Sequence, residues 1–384
     1  MNFIYIANAR MPTEKAHGVQ IVRALQAFIR EWVSVRLVVP RRRNKIRQSV
    51  KEYYGLSVVI PFVRIPVIDL IPLFGAVSFW IERFCFSLGA FLYIAVKGQE
   101  SVIYGRDEFA LFFSTLFPRQ RVVYEMHDFP EGHAWFWKIF FRRLTGIVVT
   151  NDWKRERLIE QFDVSRKKIH VARNAVDVAA FRAARDDGIR EQCSIPNNAI
   201  VAGYAGQLRT KGEAKGVEEI FAAAKMIAAG KSNIHFLFIG GIPQDVALYK
   251  GKAAELGLTN TVHFTGQVSA ADMPRYLAAC DVLLMPFPDT PHYRFYMSPI
   301  KMFEYMAAEK PIIATQLPSI TEVLDDTSAY LVPPGDIDAL ASAIEQVIAY
   351  PEEAKKRAHV AAQKSTAFTW ESRAKNIIAF LSSV

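Results

Sequence analysis

Short apolar runs alternate with amphipathic stretches along the whole chain. In the first half, five runs of strand length predict β-strands over residues 3–7, 35–39, 101–104, 121–125 and 147–150. Apolar residues return every three or four positions after Gly18, so this glycine opens a predicted amphipathic helix. Further helices are predicted between the later strands, over residues 108–117 and 135–144.

The same alternation restarts in the second half. Strands are predicted over residues 200–204, 234–239, 262–264, 282–285, 312–314 and 329–332, and a helix over residues 217–229. Strands that alternate with helices favour parallel sheets covered by helices on both faces. We therefore predict an α/β protein of two doubly wound, Rossmann-like domains with a ligand cleft between them. The predicted domains are residues 1–178 and 179–368, followed by a terminal helix at residues 369–384.

Length and composition agree with a globular protein of two domains. The chain has 384 residues, more than single cores usually hold, and 51% of them are hydrophobic. The three cysteines are scattered without metal-ligand spacing, which indicates reduced residues of a cytoplasmic protein. The apolar N-terminus has no basic leader, so no cleaved signal is expected. The best candidate for a membrane span, residues 84–96, is expected to be too short.

Positive charge is concentrated in the first half of the chain. Residues 1–180 carry 27 Lys and Arg against 16 Asp and Glu, a net charge of +11, whereas the remainder carries −2. The same half holds an aromatic, apolar region at residues 67–93. Such a domain suits a peripheral enzyme on the anionic, cytoplasmic face of a membrane. The alternatives are a solvated basic face over a buried helix pair, and nucleic-acid binding, which no recognition motif supports.

Residues 296–311 carry the most informative pattern: a loop, then a helix, then a strand. Ser298 is a good N-cap, and Pro299 suits the first helical position. The start of this helix then offers free backbone N–H groups to an anion such as a diphosphate. The groups concerned are those of Ser298, Ile300 and Lys301. Glu304 follows in the same helix and can accept hydrogen bonds from the two adjacent hydroxyls of a ribose.

This stretch resembles the nucleotide-sugar signature of the retaining GT-B glycosyltransferases of family four, also called group one. In that family two glutamates separated by seven residues lie on such a unit. The second binds the donor ribose and matches Glu304, whereas Tyr296 holds the place of the first, which binds the transferred sugar. The loop is closer to a Ser-Pro-x-Lys branch of the family. The resemblance implies the GT-B fold, with a terminal helix that crosses back onto the first domain from Trp370.

A second motif resembles the family's phosphate-binding strand, loop and helix. It comprises residues 203–208, followed by residues 215–217. The family has an arginine after the second glycine, where this chain has Gln207. Cations follow nearby, at Arg209, Lys211 and Lys215. A glycine turn with cations before a helix suits a diphosphate. The resemblance assigns Lys215 and Arg209 to the donor phosphates, and a solvated loop lysine is the alternative.

Five further positions match the family. His127 follows a predicted strand where the family has a histidine that contacts the transferred sugar, and an ordinary loop residue is the alternative. Gly18 lies where the family brings backbone close to the donor phosphate or the acceptor, although a helix-start glycine is equally consistent. Asn174 matches a position at the domain junction and is interpreted as structural. Gln267 and Val268 follow a strand whose neighbouring backbone groups read the nucleotide base in the family.

No pattern indicates a bound metal, and the donor is expected to be a substrate without any further cofactor. Asp336 and Asp338 form the single Asp-x-Asp sequence, which is interpreted as the N-cap and first turn of a helix. Helix N-termini and basic side chains are expected to stabilise the diphosphate instead of a metal ion.

The resemblance implies a metal-independent hexosyltransferase that uses a nucleotide-diphosphate sugar and retains the anomeric configuration. The expected acceptor is a glycan or a lipid-linked glycan of cell-envelope or exopolysaccharide synthesis. His127, Lys215 and Glu304 are the expected catalytic residues. The alternatives are a nucleotide-sugar epimerase or a phosphorylase on the same fold, and a catalytically inactive subunit, which Tyr296 leaves open.

Overall fold

The computed structural model of the chain describes residues 1–68, 76–98, 100–210, 213–229 and 233–384. They form two compact units. Unit 1 consists of Met1–Arg173 together with Trp370–Val384, and unit 2 consists of Asn174–Thr369. Each unit contains one large parallel sheet with helices packed on it.

The sheet of unit 1 has seven strands in the order β3-β2-β1-β4-β5-β6-β7, and all neighbouring strands are parallel. Their bounds are β1 Asn2–Ile6, β2 Ser34–Arg41, β3 Phe62–Pro66, β4 Val102–Gly105, β5 Val122–Met126, β6 Gly146–Val149 and β7 Ile169–Val171. Every residue of β5 is buried, as expected for a central strand covered on both faces. A carboxylate, that of Glu125, is therefore held in the interior of unit 1.

The helices of unit 1 follow its strands. Their bounds are α1 Ala16–Arg30, α2 Val50–Tyr54, α3 Ala76–Lys97, α4 Glu108–Ser114, α5 Ala134–Arg143 and α6 Asp152–Phe162, with a 3₁₀ turn at Arg166–Lys168 and a terminal helix at Trp370–Ser383. The terminal helix packs along α1, where Arg30 and Glu371 form an ion pair at 2.7 Å. The last helix of the chain thus belongs to the unit that contains its first strand.

The sheet of unit 2 has six parallel strands in the order β12-β11-β8-β13-β14-β15. Their bounds are β8 Ile200–Ala205, β11 Ile234–Ile239, β12 Val262–Gly266, β13 Val282–Met285, β14 Ile312–Thr315 and β15 Tyr330–Val332. A small antiparallel hairpin joins β9 Arg209–Thr210 to β10 Glu213–Ala214. The helices are α7 Val178–Ala183, α8 Ile189–Gln192, α9 Val217–Ala229, α10 Pro243–Glu255, α11 Met273–Ala278, α12 Ile300–Ala307, α13 Pro318–Thr321, α14 Ile337–Ala349 and α15 Pro351–Ser365, with a π-helical turn at His292–Tyr296.

The strand order of unit 2 reverses between β8 and β13. The chain moves outward from β8 to β11 and β12, and then returns to β13 on the other side of β8. The register between β8 and β13 pairs Ala202 with Val282 and Gly203 with Leu283, before either strand reaches its carboxyl end. In open α/β sheets this kind of switch point, at the carboxyl ends of the strands, is where ligands bind.

The predicted strands are all present, and their bounds agree to within two residues. Four strands were missed. β3 and β7 are short edge strands without a long apolar run, and β9 and β10 have two residues each. The expectation that no segment is long enough to span a membrane was wrong. Phe79–Lys97, within α3, is long and apolar enough to cross a bilayer by length and composition alone.

Candidate functional site

The carboxyl end of β8 in unit 2 is closed by glycines that a side chain would obstruct. Gly206 has a φ of 129°, in the region that favours glycine. Gly216 has a φ of 82°, and a Cβ there would overlap the carbonyl oxygen of Pro286, just after β13. The loop from β8 therefore runs directly against the end of β13, across the switch point.

Lys301 places its ammonium group at this switch point. The residue lies in the first turn of α12, and its Nζ is 3.7 Å from the ring centroid of Tyr204 and 5.1 Å from that of Phe287. The same nitrogen is 3.4 Å from the position that a Cβ on Gly206 would take. Nζ is buried, and no hydrogen-bond partner for it exists among the residues that the structure describes.

Burial holds the pKa of Lys301 well below its usual range, and the nearby charge of Lys215 lowers it further. Burial also lowers the pKa of Lys215, which lies at the start of α9 next to Gly216. Burying a cation without a partner costs roughly several kcal/mol unless an anion or a hydrogen bond compensates. Two neighbouring, desolvated lysines beside a glycine turn form a cradle for a negatively charged group.

Glu304 lies one helical turn after Lys301 on α12 and is half-buried. Burial raises its pKa to about 7, and the charge of Lys301 opposes this rise. Its carboxyl group lies on the same helix as the ammonium of Lys301, and its role as a ribose ligand stays a prediction.

Tyr305 anchors α12 at the switch point, and the sequence did not predict this role. Its hydroxyl accepts a hydrogen bond from the backbone N–H of Ala205 at 2.7 Å and donates to the carbonyl of Leu284 at 3.3 Å. One side chain thus joins the ends of β8 and β13, beyond the last register pair between them. A buried tyrosine at such a place is not distinguishable in sequence from an ordinary core residue.

The prediction that Ser298 caps α12 was wrong. The helix begins at Ile300, and Pro299 is its N-cap with an extended ψ of 129°. The Ser298 hydroxyl instead accepts a hydrogen bond from the backbone N–H of Asn174 at 3.3 Å, and its carbonyl accepts one from the Asn174 side chain. Because these bonds hold Ser298 outside the helix, the first-turn N–H groups belong to Ile300 and Lys301. Asn174 is buried and orders this loop, in keeping with its structural interpretation.

The remaining predicted residues of unit 2 that the structure describes follow β8, β12 or β13 in the chain. Gln267 is exposed and Val268 is half-buried, directly after β12. Arg209 lies in β9, where its charge acts on the pKa of Tyr249. Lys211 lies outside the described residues. Tyr296, in the place of the family's first glutamate, is in the π-helical turn before α12.

His127 of unit 1 follows β5 and is oriented by a buried carboxylate. Its Nε2 lies 3.0 Å from a carboxylate oxygen of Glu125. Because an ionised carboxylate only accepts hydrogen bonds, Nε2 is the donor. Glu125 also accepts from the hydroxyl of Tyr5 at 3.0 Å, from Arg106 at 3.1 Å and from Arg373 of the terminal helix at 2.7 Å. The two guanidinium groups hold the pKa of Glu125 well below its usual range in spite of its burial. An acidic residue inside an apolar strand was the signal in the sequence for this network.

Burial lowers the pKa of His127 to about 4, so the ring is neutral near pH 7. With Nε2 donating to Glu125, Nδ1 is the acceptor of the ring. His127 lines a cavity of about 540 Å³ in unit 1 together with Asn8, His17, Asp128, Glu131 and Trp137. An aromatic ring among amide, imidazole and carboxylate groups suits a ligand rich in hydroxyl groups.

Gly18 lies in the first turn of α1, and the space beside it is filled by the protein itself. A Cβ there would overlap the hydroxyl of Tyr54, which donates to the carbonyl of Thr13 at 2.6 Å. This packing is sufficient to explain a glycine at position 18. The role of Gly18 in approaching a ligand stays a prediction.

Asp336 has the structural role expected for it, and Asp281 is also held by structural contacts. Asp336 accepts a hydrogen bond from the N–H of Ala339 at 2.9 Å and is the N-cap of α14. Asp281 accepts from the N–H of Val201 and from Arg190, each at 2.8 Å. In the described ranges, no group of three or more His, Cys, Asp or Glu side chains has an arrangement that could hold a metal ion.

Known proteins share the sequence pattern of unit 2. Residues 199–350, within unit 2, match the family described as Glycosyl transferases group 1. TuaH of Bacillus subtilis (strain 168), named as a teichuronic acid biosynthesis glycosyltransferase, is 28% identical over 182 residues, which are 47% of this chain and 43% of TuaH. The chain spans less than two thirds of the length of the first curated relatives that it matches.

Solved structures share the fold over the whole chain. Sucrose-phosphate synthase from Thermosynechococcus elongatus superposes with a TM-score of 0.78 at 17% identity, covering 98% of this chain and 97% of that one. HepE of Anabaena, in complex with UDP, superposes with a TM-score of 0.75 at 18% identity. This superposition covers 100% of each chain. These similarities confirm the predicted fold class, two Rossmann-like domains of the GT-B type. In sequence and in fold, the chain is similar to group 1 glycosyltransferases.

Proposed function

We propose that the protein is a glycosyltransferase that transfers a sugar from a nucleoside diphosphate sugar to a hydroxyl group of a glycan or lipid-linked acceptor. The observation that carries this proposal is the buried ammonium of Lys301 at the switch point of unit 2, which has no hydrogen-bond partner among the described residues. A dianionic diphosphate is a ligand that compensates both this charge and the neighbouring Lys215.

The donor is assigned to the carboxyl ends of β8, β11 and β13. Its diphosphate faces Lys301, Lys215 and the first N–H groups of α12, where the helix dipole also favours negative charge. Glu304 accepts hydrogen bonds from the ribose hydroxyls. Lys301 and Glu304 lie about one turn apart on one helix. The pitch of α12 therefore matches the distance between the diphosphate and the ribose of the donor.

In the proposed reaction the bond between the anomeric carbon and the diphosphate oxygen breaks, and a bond to the acceptor oxygen forms on the same face of the sugar. The acceptor proton passes to the departing diphosphate. The two lysines and the helix N-terminus stabilise the charge that grows on the leaving group, so no metal ion is required. The cavity at His127 takes sugar hydroxyl groups, and the neutral ring accepts a hydrogen bond at Nδ1.

UDP is the first nucleotide to test, since the structurally similar HepE was crystallised with UDP and with UDP-glucose. Isothermal titration with UDP, GDP and ADP in the presence of EDTA measures binding without metal. We expect one nucleotide to bind, and we expect Lys301→Met to weaken that binding. Lys355→Met is the control, because Lys355 is an exposed lysine of unit 2 whose ion pair, with Glu352 at 2.8 Å, lies within α15.

Two results would contradict the proposal. If a cooperatively melting protein binds none of the nucleotides, the chain is not a nucleotide-sugar enzyme on its own. If Lys301→Met binds as tightly as the unaltered protein, the diphosphate lies elsewhere. The stereochemistry is tested separately by NMR, since retention requires the product to keep the anomeric configuration of the donor.

A further inference from the structure

Helix α3 of unit 1 exposes an unbroken apolar stripe. Trp80, Phe84, Leu88, Leu92 and Val96 recur every four residues, and between 47% and 72% of each side chain is exposed. Residues four apart lie about one turn apart with a rotation of roughly 40°, so these five side chains form a stripe that winds around α3 along its length. The opposite face of α3 is packed into unit 1: Phe86, Ala90 and Ile94 are buried.

Two of the three charged residues of α3, Glu82 and Arg83, are turned inward, whereas Lys97 at its end is exposed. Glu82 is fully buried and pairs with Arg42 at 2.5 Å. Arg83 pairs with Glu108 at 2.6 Å and lies 4.2 Å from the ring centroid of Phe109. From Phe84 to Val96 the sequence contains no charged residue. The exposed side of the helix is therefore apolar, whereas the exposed side of an ordinary surface helix is polar.

Aromatic contacts extend this surface to α5. Trp80 packs against Phe109 at 5.7 Å, Phe109 stacks on Phe136 at 5.7 Å, and Phe136 contacts Trp135 at 6.2 Å. The Trp135 side chain is 67% exposed. Apolar patches that extend over several elements mark an interaction surface in proteins that are otherwise soluble.

Cations border the patch. Lys97 ends α3 and is exposed, as are Lys138 and Arg142 on α5. Arg36 donates to the hydroxyl of Tyr93 on α3 at 2.9 Å. Arg143 lies 5.7 Å from the ring centroid of Phe112. Apolar and indole side chains with a cationic border are the combination that anionic lipid headgroups attract.

We propose that α3 and the exposed residues of α5 form an interfacial docking surface for an anionic lipid bilayer, with α3 lying parallel to the membrane plane. A crossing is incompatible with the packing of α3, because a Cβ at Gly89 would overlap the side chain of Ile65 on β3 and Glu82 is bound inside the fold. The surface consists of residues of unit 1 and has no part in donor binding, so this inference stands independently of the proposed function.

Vesicle binding by the full chain tests this surface. The probes are vesicles of phosphatidylcholine alone and of phosphatidylcholine mixed with phosphatidylglycerol. We expect sedimentation with the anionic vesicles, reduced by salt, and quenching of tryptophan fluorescence by brominated lipid. The triple variant Phe84→Gln, Leu88→Gln, Leu92→Gln should lose about tenfold or more of this binding, since it removes the inserted side chains.

A matched triple variant in unit 2 is the control. Met226, Ile242 and Leu248 are exposed to a similar degree, so Met226→Gln, Ile242→Gln, Leu248→Gln should leave vesicle binding unchanged. Cooperative melting of both triple variants shows that the fold is kept. Failure of the unaltered protein to bind either type of vesicle overturns the proposal, and so does equal binding by the two triple variants. A dimer in vesicle-free solution that the α3 variant abolishes, without lipid binding, would instead assign the surface to a second copy of the chain.

Discussion

The hydroxyl of Tyr305 accepts a hydrogen bond from the backbone N–H of Ala205 at 2.7 Å, at the point where β8 and β13 have ceased to pair. Removing this hydroxyl leaves a buried N–H without an acceptor. We expect Tyr305→Phe to lower the free energy of unfolding by about 1–3 kcal/mol. Urea denaturation measures the change. Tyr330→Phe is the control, because the buried Tyr330 hydroxyl has no partner in the described part of the chain, and its loss should cost little.

The substitution Lys301→Met should weaken nucleotide binding without destabilising the free protein. The substitution keeps the length of the side chain and removes a buried ammonium that has no hydrogen-bond partner among the described residues of the free protein. The melting temperature of the free protein should therefore stay constant or rise, while nucleoside diphosphate affinity falls by about 10- to 100-fold. A lysine with a purely structural role would give the opposite result, a lower melting temperature with unchanged affinity.

The pH dependence of nucleotide binding should report on Glu304. Its pKa in the free protein is raised to about 7, so the carboxylate that accepts ribose hydroxyl bonds is formed as the pH rises through 7. Affinity should therefore increase across this range, and it should decrease again at higher pH as Lys301 loses its proton. In Glu304→Gln the increase near pH 7 should disappear. Titration calorimetry over the pH range provides the measurement, and an unaltered profile in the variant would rule out this role.

Two half-buried histidines of unit 1 should destabilise the fold in mild acid. Both His127 and His17 have an ordinary pKa of 6.5 and a pKa near 4 in the folded protein. Between these values the unfolded chain binds more protons, so stability falls as the pH drops from 6.5 towards 4. We expect each histidine to contribute roughly 1–3 kcal/mol to this fall. His127→Gln and His17→Gln should each flatten it, measured by urea denaturation at several pH values. The pKa of Glu125 is lowered in the folded protein. Protonation of Glu125 therefore destabilises the protein only below pH 4.5, and this effect can be distinguished from that of the histidines.

The effect of a glycine-to-alanine substitution on stability should differ between the switch point and the rest of unit 2. Gly216→Ala forces a Cβ onto the Pro286 carbonyl at a positive φ, and we expect a loss of about 2 kcal/mol or more. Gly251→Ala in α10 has open space around it and should stabilise the protein by about 0.5–1 kcal/mol. Thermal denaturation of the two variants compares them directly, and equal effects would contradict the close approach of the loop to β13.

The sequence predicted the parallel sheets and their order of elements because short apolar runs between amphipathic helices are typical of strands that helices cover on both faces. It also predicted that Glu304, Lys215 and the backbone N–H of Lys301 share one site, since a helix pitch and a glycine turn are local properties. The buried ammonium of Lys301 was not predicted. It did not predict Ser298 correctly, because the competing partner Asn174 is 124 positions away in the chain. The networks of Tyr305 and Glu125 likewise depend on contacts between distant strands.

The outward face of α3 could not be predicted from the sequence for a different reason. A helix that is apolar on both sides has no periodic signal to indicate which side is covered. The charged pair Glu82 and Arg83 divides the apolar segment in the sequence, and their partners Arg42 and Glu108 become visible only in the fold. The pattern alone therefore agrees equally with a buried helix pair and with a membrane surface, and only the exposure of individual side chains separates the two.

The anchoring of α12 by Tyr305 has a consequence for how this segment can change over time. Tyr305 fixes the rotation of the helix, and Lys301 and Glu304 depend on that rotation for their direction. Replacement of one side chain alters one interaction, whereas insertion of a single residue before Tyr305 turns the preceding helix by about 100° and moves both ligand-facing groups at once. The loop and helix from Ser298 to Tyr305 are therefore expected to vary in composition far more readily than in length.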